Sequence, residues 1–584
     1  MLLKSFLKST IMGVRRDPST TIIQVGGLVL ALTAFLLITI WVEQQLSFDR
    51  FNTRADRIYR VEISGEKYDG WVGQHSMFRI YIKEKIPEIE NFVRFRKWGK
   101  GQQGQLTYES KGDKQRRRIV NGDYFFADSS FFSVFSFDLL IGDPNTVLKE
   151  PYSVVISDKM AQKLFRAENP VGKQLLNGLT VTGVYHDVNN FHIGNDWIQS
   201  LVSLAPLYRN ALEADLDNWK MPDHPTYLLL SKGADPLYVE VKIAEWMERL
   251  GKEQWADVDI DLTFHLRPLK DIYFQGATKD EGYYCMHGNK NMVIAFMAIG
   301  LFVVVVAGIN FVNLSTAKSA SRTREIGVRK VNGSSKRELI FQFMMEIFVY
   351  CLLAFVISIT LLQSLLARFN NLIQGNLNLG LLNVPEFWFW SLIGLVLLTI
   401  LAGFIPSYFY ARLKPASVLR DYSSDTRKSL LVRRFMLIGQ YIVSTVLVIA
   451  VLVIFKQLNF MKESDPGFEK KDRITFGFSG DFMADKVEPI RQRLLSHPDI
   501  FSITHCFGVP GEMLPYGPVL SINGEKVQLR RIVVDEDYFK TLGIDLIAGR
   551  SFDVDNQGDL YQINFHLIDI ISIFKYAKTS RYRD

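Results

Sequence analysis

Five long apolar runs, none with more than one charged residue, constrain this chain first, because about 20 consecutive apolar residues match the hydrocarbon thickness of a bilayer. They are Thr21 to Val42, Met292 to Leu314, Leu339 to Leu366, Trp388 to Ala411 and Phe435 to Phe455. A chain of 584 residues exceeds a single core, and one with 48% hydrophobic residues is too apolar for a purely soluble protein. The first run follows a short basic stretch, 1–20, with Lys4, Lys8, Arg15 and Arg16. It is closed by Trp41, Val42, Glu43 and Gln44 without a small-x-small cleavage site, so it reads as a retained anchor with its N-terminus inside.

The charges between the runs test that count independently, since Lys and Arg gather on the cytoplasmic side. The segment 315–338 carries Lys318, Arg322, Arg324, Arg329, Lys330, Lys336 and Arg337 against Glu325 and Glu338, and 412–434 carries Arg412, Lys414, Arg420, Arg427, Lys428, Arg433 and Arg434. The loop 367–387 holds only Arg368 and Glu386, as an outside loop should. The net charge of +7 is thus gathered beside apolar runs, which fits membrane orientation and gives no reason to expect nucleic acid. Read as a helix, 315–338 places Lys318, Arg322, Glu325 and Arg329 on one charged face. Ala317, Ala320, Gly327, Val328 and Val331 form a small, weakly apolar side, suited to a membrane surface or a partner. Gly333 can end this helix in a left-handed cap, and Ser335 with Glu338 forms a capping box opening the next span.

The stretch 43–290 contains no spanning run and has the composition of a folded domain outside the membrane. PYSVVISDKMAQKLF, from Pro151 to Phe165, predicts a strand and a helix capped by Ser157 or Asp158; LLNGLTVTGVYHDV, from Leu175 to Val188, predicts a hairpin turning at Asn177-Gly178. That alternation predicts a mixed α/β domain, with a subdomain inserted at about 189–268. The fold class is therefore an α-helical membrane protein of about five spans with mixed α/β extracytoplasmic domains.

The segment 456–584 begins a second copy of the first external unit. Asp128, Phe131, Phe132, Asp138, Leu139 and Gly142 recur at a constant offset as Asp535, Tyr538, Phe539, Asp545, Leu546 and Gly549. From about 560 an atypical tail, ending in KYAKTSRYRD, replaces the expected strand and helix, so the copy reads as incomplete.

No motif commits the chain to catalysis. GxxxxGK[ST] is absent, Gly172-Lys173 lacking both the upstream glycine and the hydroxyl residue, and neither HExxH nor GxSxG occurs. His186, Asp187 and His192 lie close together in an external loop, where histidines are usually solvated, so no metal is expected. Cys285, Cys351 and Cys506 are far apart and form no CxxC. No cofactor is expected.

The segment SRTREIGVRKVNGSSKRELIFQFMMEI resembles the EIGIRKV signature of MacB- and FtsX-type ABC transporter permeases, here Glu325, Ile326, Gly327, Val328, Arg329, Lys330, Val331, Asn332 and Gly333. SFDRFNTRADRIYRV (Ser47 to Val61), ILAGFIPSYFYARLKPASVLR (Ile400 to Arg420) and QLNFMKESDPGF (Gln457 to Phe468) resemble further parts of that family. The resemblance implies an inner-membrane permease without ATPase activity, driven by a separate ABC ATPase and transmitting motion across the bilayer to its external domain. Arg322, Arg324, Glu325, Gly327, Arg329, Lys330 and Gly333 are then the candidate ATPase-coupling residues. Duplicated relatives have eight spans, so this chain reads as a duplicated form with an incomplete second half. It is expected to pair as a homodimer or with a second permease, amid membrane lipid and with room for an extracytoplasmic partner protein. The alternative, a membrane receptor with an external ligand-binding domain, is disfavoured because inside segments of about 20 to 25 residues fall well short of a folded signalling domain of about 50.

Overall fold

A computed structural model describes residues 18–65, 73–75, 85–97, 103–109, 117–188, 190–194, 196–204, 222–254, 262–275, 285–317, 330–331, 333–373, 377–412, 426–475, 484–507, 516–522, 525–530, 532–546, 549–553 and 556. The chain enters through helix α1 (Pro18–Leu46), which feeds an external domain. Its strands are β1 (Ile58–Gly65), β2 (Gly73–His75), β3 (Ile89–Arg96), β4 (Gln103–Glu109) and β5 (Arg117–Ala127), followed by the short helix α2 (Phe131–Val134) and then β6 (Leu139–Ile141) and β7 (Ser153–Ser157). Helix α3 (Asp158–Phe165), strands β8 (Thr180–Tyr185), β9 (Trp197–Ser200) and β10 (Pro222–Leu230), helix α4 (Pro236–Gln254), strand β11 (Leu262–Pro268) and helix α5 (Leu269–Ile272) complete it.

All eleven strands join one mixed sheet in the order β11-β1-β10-β3-β5-β9-β7-β8-β6, with β2 added to β10 and β4 to β5. The β5–β9 and β7–β8 pairs are parallel. The domain's first and last strands are neighbours, Tyr59 facing Pro268, so the chain enters and leaves the sheet side by side. This corrects the expected inserted subdomain. Strands from 189–268 are integral to the sheet, β10 lying between β1 and β3 and β9 between β5 and β7. The backbone groups of those central strands find their partners in segments far away in sequence.

Local signals behave as their chemistry predicts. The Ser157 hydroxyl caps α3 by accepting from the Met160 N–H at 3.3 Å. Asn177-Gly178 makes the expected tight turn, with Gly178 at φ +82° and the Leu175 N–H donating to the Leu179 carbonyl at 2.8 Å. The upstream arm of that hairpin is only a single bridge, Gln174 to Thr180, because β8 pairs instead with β7 and β6. Under one half of the sheet, α4 lays Val239, Ile243 and Met247 on Val61, Leu228 and Phe264. Elsewhere Phe95, Phe125, Phe131, Phe135 and Tyr227 are buried with ring centroids 5.1 to 5.9 Å apart in successive pairs.

Beyond the domain come α6 (Lys290–Ala317), α7 (Lys336–Ile373), α8 (Pro385–Arg412) and α9 (Thr426–Glu463). With α1 these make five helices long and apolar enough to cross a membrane. Helices α1, α6, α7 and α8 pack around Leu28, Leu36, Phe311, Ile347, Cys351, Ala354 and Ala402, so Cys351 is the small core residue its apolar surroundings suggest. Since lipid is as apolar as leucine, close approach must hold such a bundle together. A Cβ at Gly403 on α8 would stand 2.8 Å from Met344 Sδ on α7, and the Ser358 hydroxyl of α7 donates to the Val29 carbonyl of α1 at 3.0 Å. Val446, Ile449 and Leu452 of α9 remain exposed.

After α9 the chain forms α10 (Ala484–Leu495), β12 (Cys506–Phe507), the β13–β14 hairpin (Tyr516–Ile522 and Glu525–Arg530), β15 (Val533–Val534) and α11 (Tyr538–Leu542). The repeated residues do equivalent jobs in the two units. Asp128 accepts from the Arg94 N–H at 3.0 Å, and Asp535 accepts from the His505 N–H at 2.7 Å. The strand ending just before each aspartate pairs antiparallel, Phe95 facing Ala127 and Cys506 facing Val534; Arg94 lies within its partner strand and His505 immediately before its own. Phe131 and Phe132 are buried, as are Tyr538 and Phe539, and Gly142 and Gly549 both have positive φ. The tail from 557 lies outside the described residues.

Candidate functional site

Of the seven candidate coupling residues, Arg322, Arg324, Glu325, Gly327 and Arg329 lie outside the described residues. Lys330 and Gly333 are described. Gly333 takes φ +92° and its N–H reaches the Lys330 carbonyl at 3.1 Å, the left-handed turn expected of it. Two residues later the capping box is complete in both directions. The Ser335 N–H donates to Glu338 Oε2 at 3.0 Å and the Glu338 N–H to Ser335 Oγ at 3.3 Å, which fixes where α7 begins. Partial burial and the neighbouring charge of Lys336 lower the Lys330 pKa.

At the other end of the apolar helices, α1 and α6 meet the external sheet. Trp41 of α1 lies 4.9 Å from Phe296 of α6. Just past α1, Phe48 stacks on Tyr273 with centroids 3.8 Å apart and planes 7° from parallel, and the Tyr273 hydroxyl donates to Gln45 Oε1 at 2.7 Å. Ahead of α6, the Gly288 N–H donates to the Tyr273 carbonyl at 2.8 Å; a Cβ there would come within 2.3 Å of the Tyr273 ring. One tyrosine thus touches the last turn of the incoming helix and the approach to the outgoing one.

Beside it lies a buried polar network. Asp49, left-handed at φ +61°, receives both the backbone N–H (3.3 Å) and Nδ1 (2.8 Å) of His192 on Oδ1. His192 Nε2 is 2.6 Å from the Tyr227 hydroxyl of β10, and the His192 carbonyl accepts from the Met286 N–H at 2.6 Å. Burial by itself would lower the His192 pKa, but Asp49, and after it Cys285, more than reverse this and raise it to about 9, so the ring is an imidazolium at neutral pH. Nearby, buried Arg60 pairs with Glu62 at 2.5 Å, and Arg267 clasps the same carboxylate from β11. Burial would raise the Glu62 pKa; Arg267 and Arg60 bring it below the ordinary range.

Sequence reasoning set His192 beside His186 and Asp187 as loop residues exposed to water. His192 is instead fully buried; His186 is exposed, 3.0 Å from Asp158, and Asp187 pairs with Lys159 at 2.5 Å. The three do not converge, and among the described residues no group of three His, Cys, Asp or Glu could hold a metal. Asp49 and Tyr227 were missed because they lie 143 and 35 residues from His192, a separation that leaves no spacing signal.

Residues 21–245 match the family model of the MacB-like periplasmic core domain, and residues 297–415 match that of the FtsX-like permease C-terminal region. The two models fall in family order, one on α1 and the sheet, the other on α6 to α8. The chain belongs to the MacB/FtsX-type permeases. Among relatives of this permease, the macrolide export ATP-binding/permease protein MacB of Agrobacterium fabrum is 26% identical over 314 residues, 52% of this chain and 44% of the relative. The MacB of Acinetobacter baylyi is 30% identical over 131 residues, 22% of this chain and 19% of the relative. The permease therefore spans less than half the length of these curated relatives. The solved periplasmic region of MacB from Actinobacillus actinomycetemcomitans is 12% identical, covering 38% of this chain and 92% of that one at a TM-score of 0.26. The FtsX-like match includes the whole basic segment and the capping box; the core-domain match includes Asp49, His192 and Tyr227.

Proposed function

We propose that this multi-pass permease is the membrane subunit of an ABC transporter, in which ATP hydrolysis by a separate ATPase on the cytoplasmic face moves the external domain. The basic segment 315–338 faces inward and meets the ATPase, with Glu325 as the acidic contact and Arg322, Arg324, Arg329 and Lys330 as partner or headgroup contacts. Its N-terminus lies inside, in a bacterial inner membrane. An ATPase dimer offers one docking surface per subunit, so the assembly holds two copies of this chain or this chain and a second permease. The observation that supports the reading is the continuity of α6. It runs unbroken for 28 residues, about 42 Å at 1.5 Å per residue, from the Tyr273 and His192 contacts to the mouth of the basic segment. A rigid element with a packed junction at one end and a charged contact segment at the other suits displacement better than chemistry.

The test is co-purification from native membranes. An ATPase should accompany the solubilised full-length chain, and Glu325→Lys should abolish both its retention and the permease-dependent part of its ATP hydrolysis. Absence of any co-purified ATPase together with hydrolysis indifferent to Glu325→Lys would sink the proposal.

A further inference from the structure

Among the described buried ionisable groups of the external domain, His192 joins three separate pieces of chain. It receives the segment leaving α1 through Asp49, the centre of the sheet through Tyr227 and the segment entering α6 through Met286. Its neighbourhood is made to admit that last segment. Gly194, at φ +67°, leaves space that a Cβ would close to 2.8 Å from Met286 Cε, and Cys285 Sγ lies 3.9 Å from Arg60 Nη1. A buried ion pair is poor evidence of stabilisation, because desolvating two charges offsets most of their attraction. It does impose direction. Both ring nitrogens and both backbone groups of His192 are engaged, so α1 and α6 cannot shift against the sheet separately without breaking a bond to the same residue.

We propose that Asp49, His192 and Tyr227 form a joint that fastens the outer ends of α1 and α6 to the external sheet as one body. This rests on the reading that the permease moves its external domain, and makes His192 the positioning residue for that movement. The joint is a fastener across neutral pH. The groups facing His192 are Asp49, Tyr227 and Cys285; Arg60 stands behind Cys285 and Tyr227, with the Glu62–Arg267 pair behind Arg60. Tyr227 keeps its proton, burial holding its pKa well above 10. With the folded pKa of His192 about 9 against 6.5 unfolded, the ionic grip is complete below 6.5 and is lost as pH rises through about 9.

Hydrogen–deuterium exchange on the full-length protein in lipid nanodiscs, without ATPase, tests this. At pH 7, His192→Gln should speed exchange at least tenfold in both 43–52 and 285–293 and leave β7 within twofold of wild type. Tyr227→Phe, which removes one hydroxyl, should loosen the same two segments together to a smaller degree. In the unmutated protein both should lose protection in a single step near pH 9, after correction for intrinsic exchange. Loosening of one segment without the other, loosening of β7 alongside them, or no alkaline step would overturn the joint. If His192→Gln fails to fold, the Tyr227→Phe and alkaline arms decide. Failure here leaves ATPase co-purification untouched, so the joint and the coupling reading fail separately.

Discussion

Glu62 and His192 set opposite pH limits on the external domain. Glu62 has a folded pKa below its ordinary value, so its contribution is present above about 4.5 and is lost as pH falls toward the folded pKa; His192 has a raised one, so its contribution is complete below 6.5 and is lost as pH rises from there through about 9. Thermal melts of the full-length protein from pH 4 to pH 10 should show a plateau from about 4.5 to 6.5, a falling midpoint below 4.5, and a second fall between 6.5 and about 9. A midpoint that does not fall between pH 6.5 and 9 would contradict the assignment of the His192 pair, and one that does not fall below 4.5 that of the Glu62 pair. Breaking either pair from one side should also be severe: Asp49→Asn leaves a buried imidazolium without its counter-ion, which costs on the order of 3 to 5 kcal/mol at neutral pH unless the ring gives up its proton. None of this could be read from the chain. The partners of His192 are remote, and a histidine near His186 and Asp187 looks like every other loop histidine until the sheet forms around it.

At the scale of elements, what was legible depended on how local its cause is. The five apolar helices announce themselves by run length, and the caps at Ser157 and Ser335 need only residues within three positions. The order of the sheet needs pairings such as Thr226 with Arg94 and Tyr59 with Pro268, so 189–268 looked self-contained when β9 and β10 are central and β11 closes the sheet's edge beside β1. The repeat was legible because duplication preserves spacing even where the partners are distant. Two element-scale substitutions follow from the geometry. Ser335→Ala should remove the accepting half of the box and destabilise the start of α7 by about 1 kcal/mol, read as faster amide exchange at 336–340 and unchanged exchange in α6. Gly288→Ala should force the Tyr273 ring away from Phe48, costing about 1 to 3 kcal/mol and loosening the approach to α6; a thermal midpoint equal to wild type would show that the ring has room to move.

For the whole molecule, the family identity came from ordered motifs, while the proposed coupling segment they mark would act only through a second protein. If α6 joins a cytoplasmic contact to an external joint, as proposed, the nucleotide state of the ATPase should alter the external domain's position relative to the helices. The most direct measurement is double electron–electron resonance on the ATPase complex, with spin labels at exposed Val241 on α4 and exposed Arg434 on α9 and with Cys506 replaced by serine. Distance distributions should differ between the nucleotide-free and ATP-bound states of the complex. Identical distributions in both states, in a complex still hydrolysing ATP, would contradict this link.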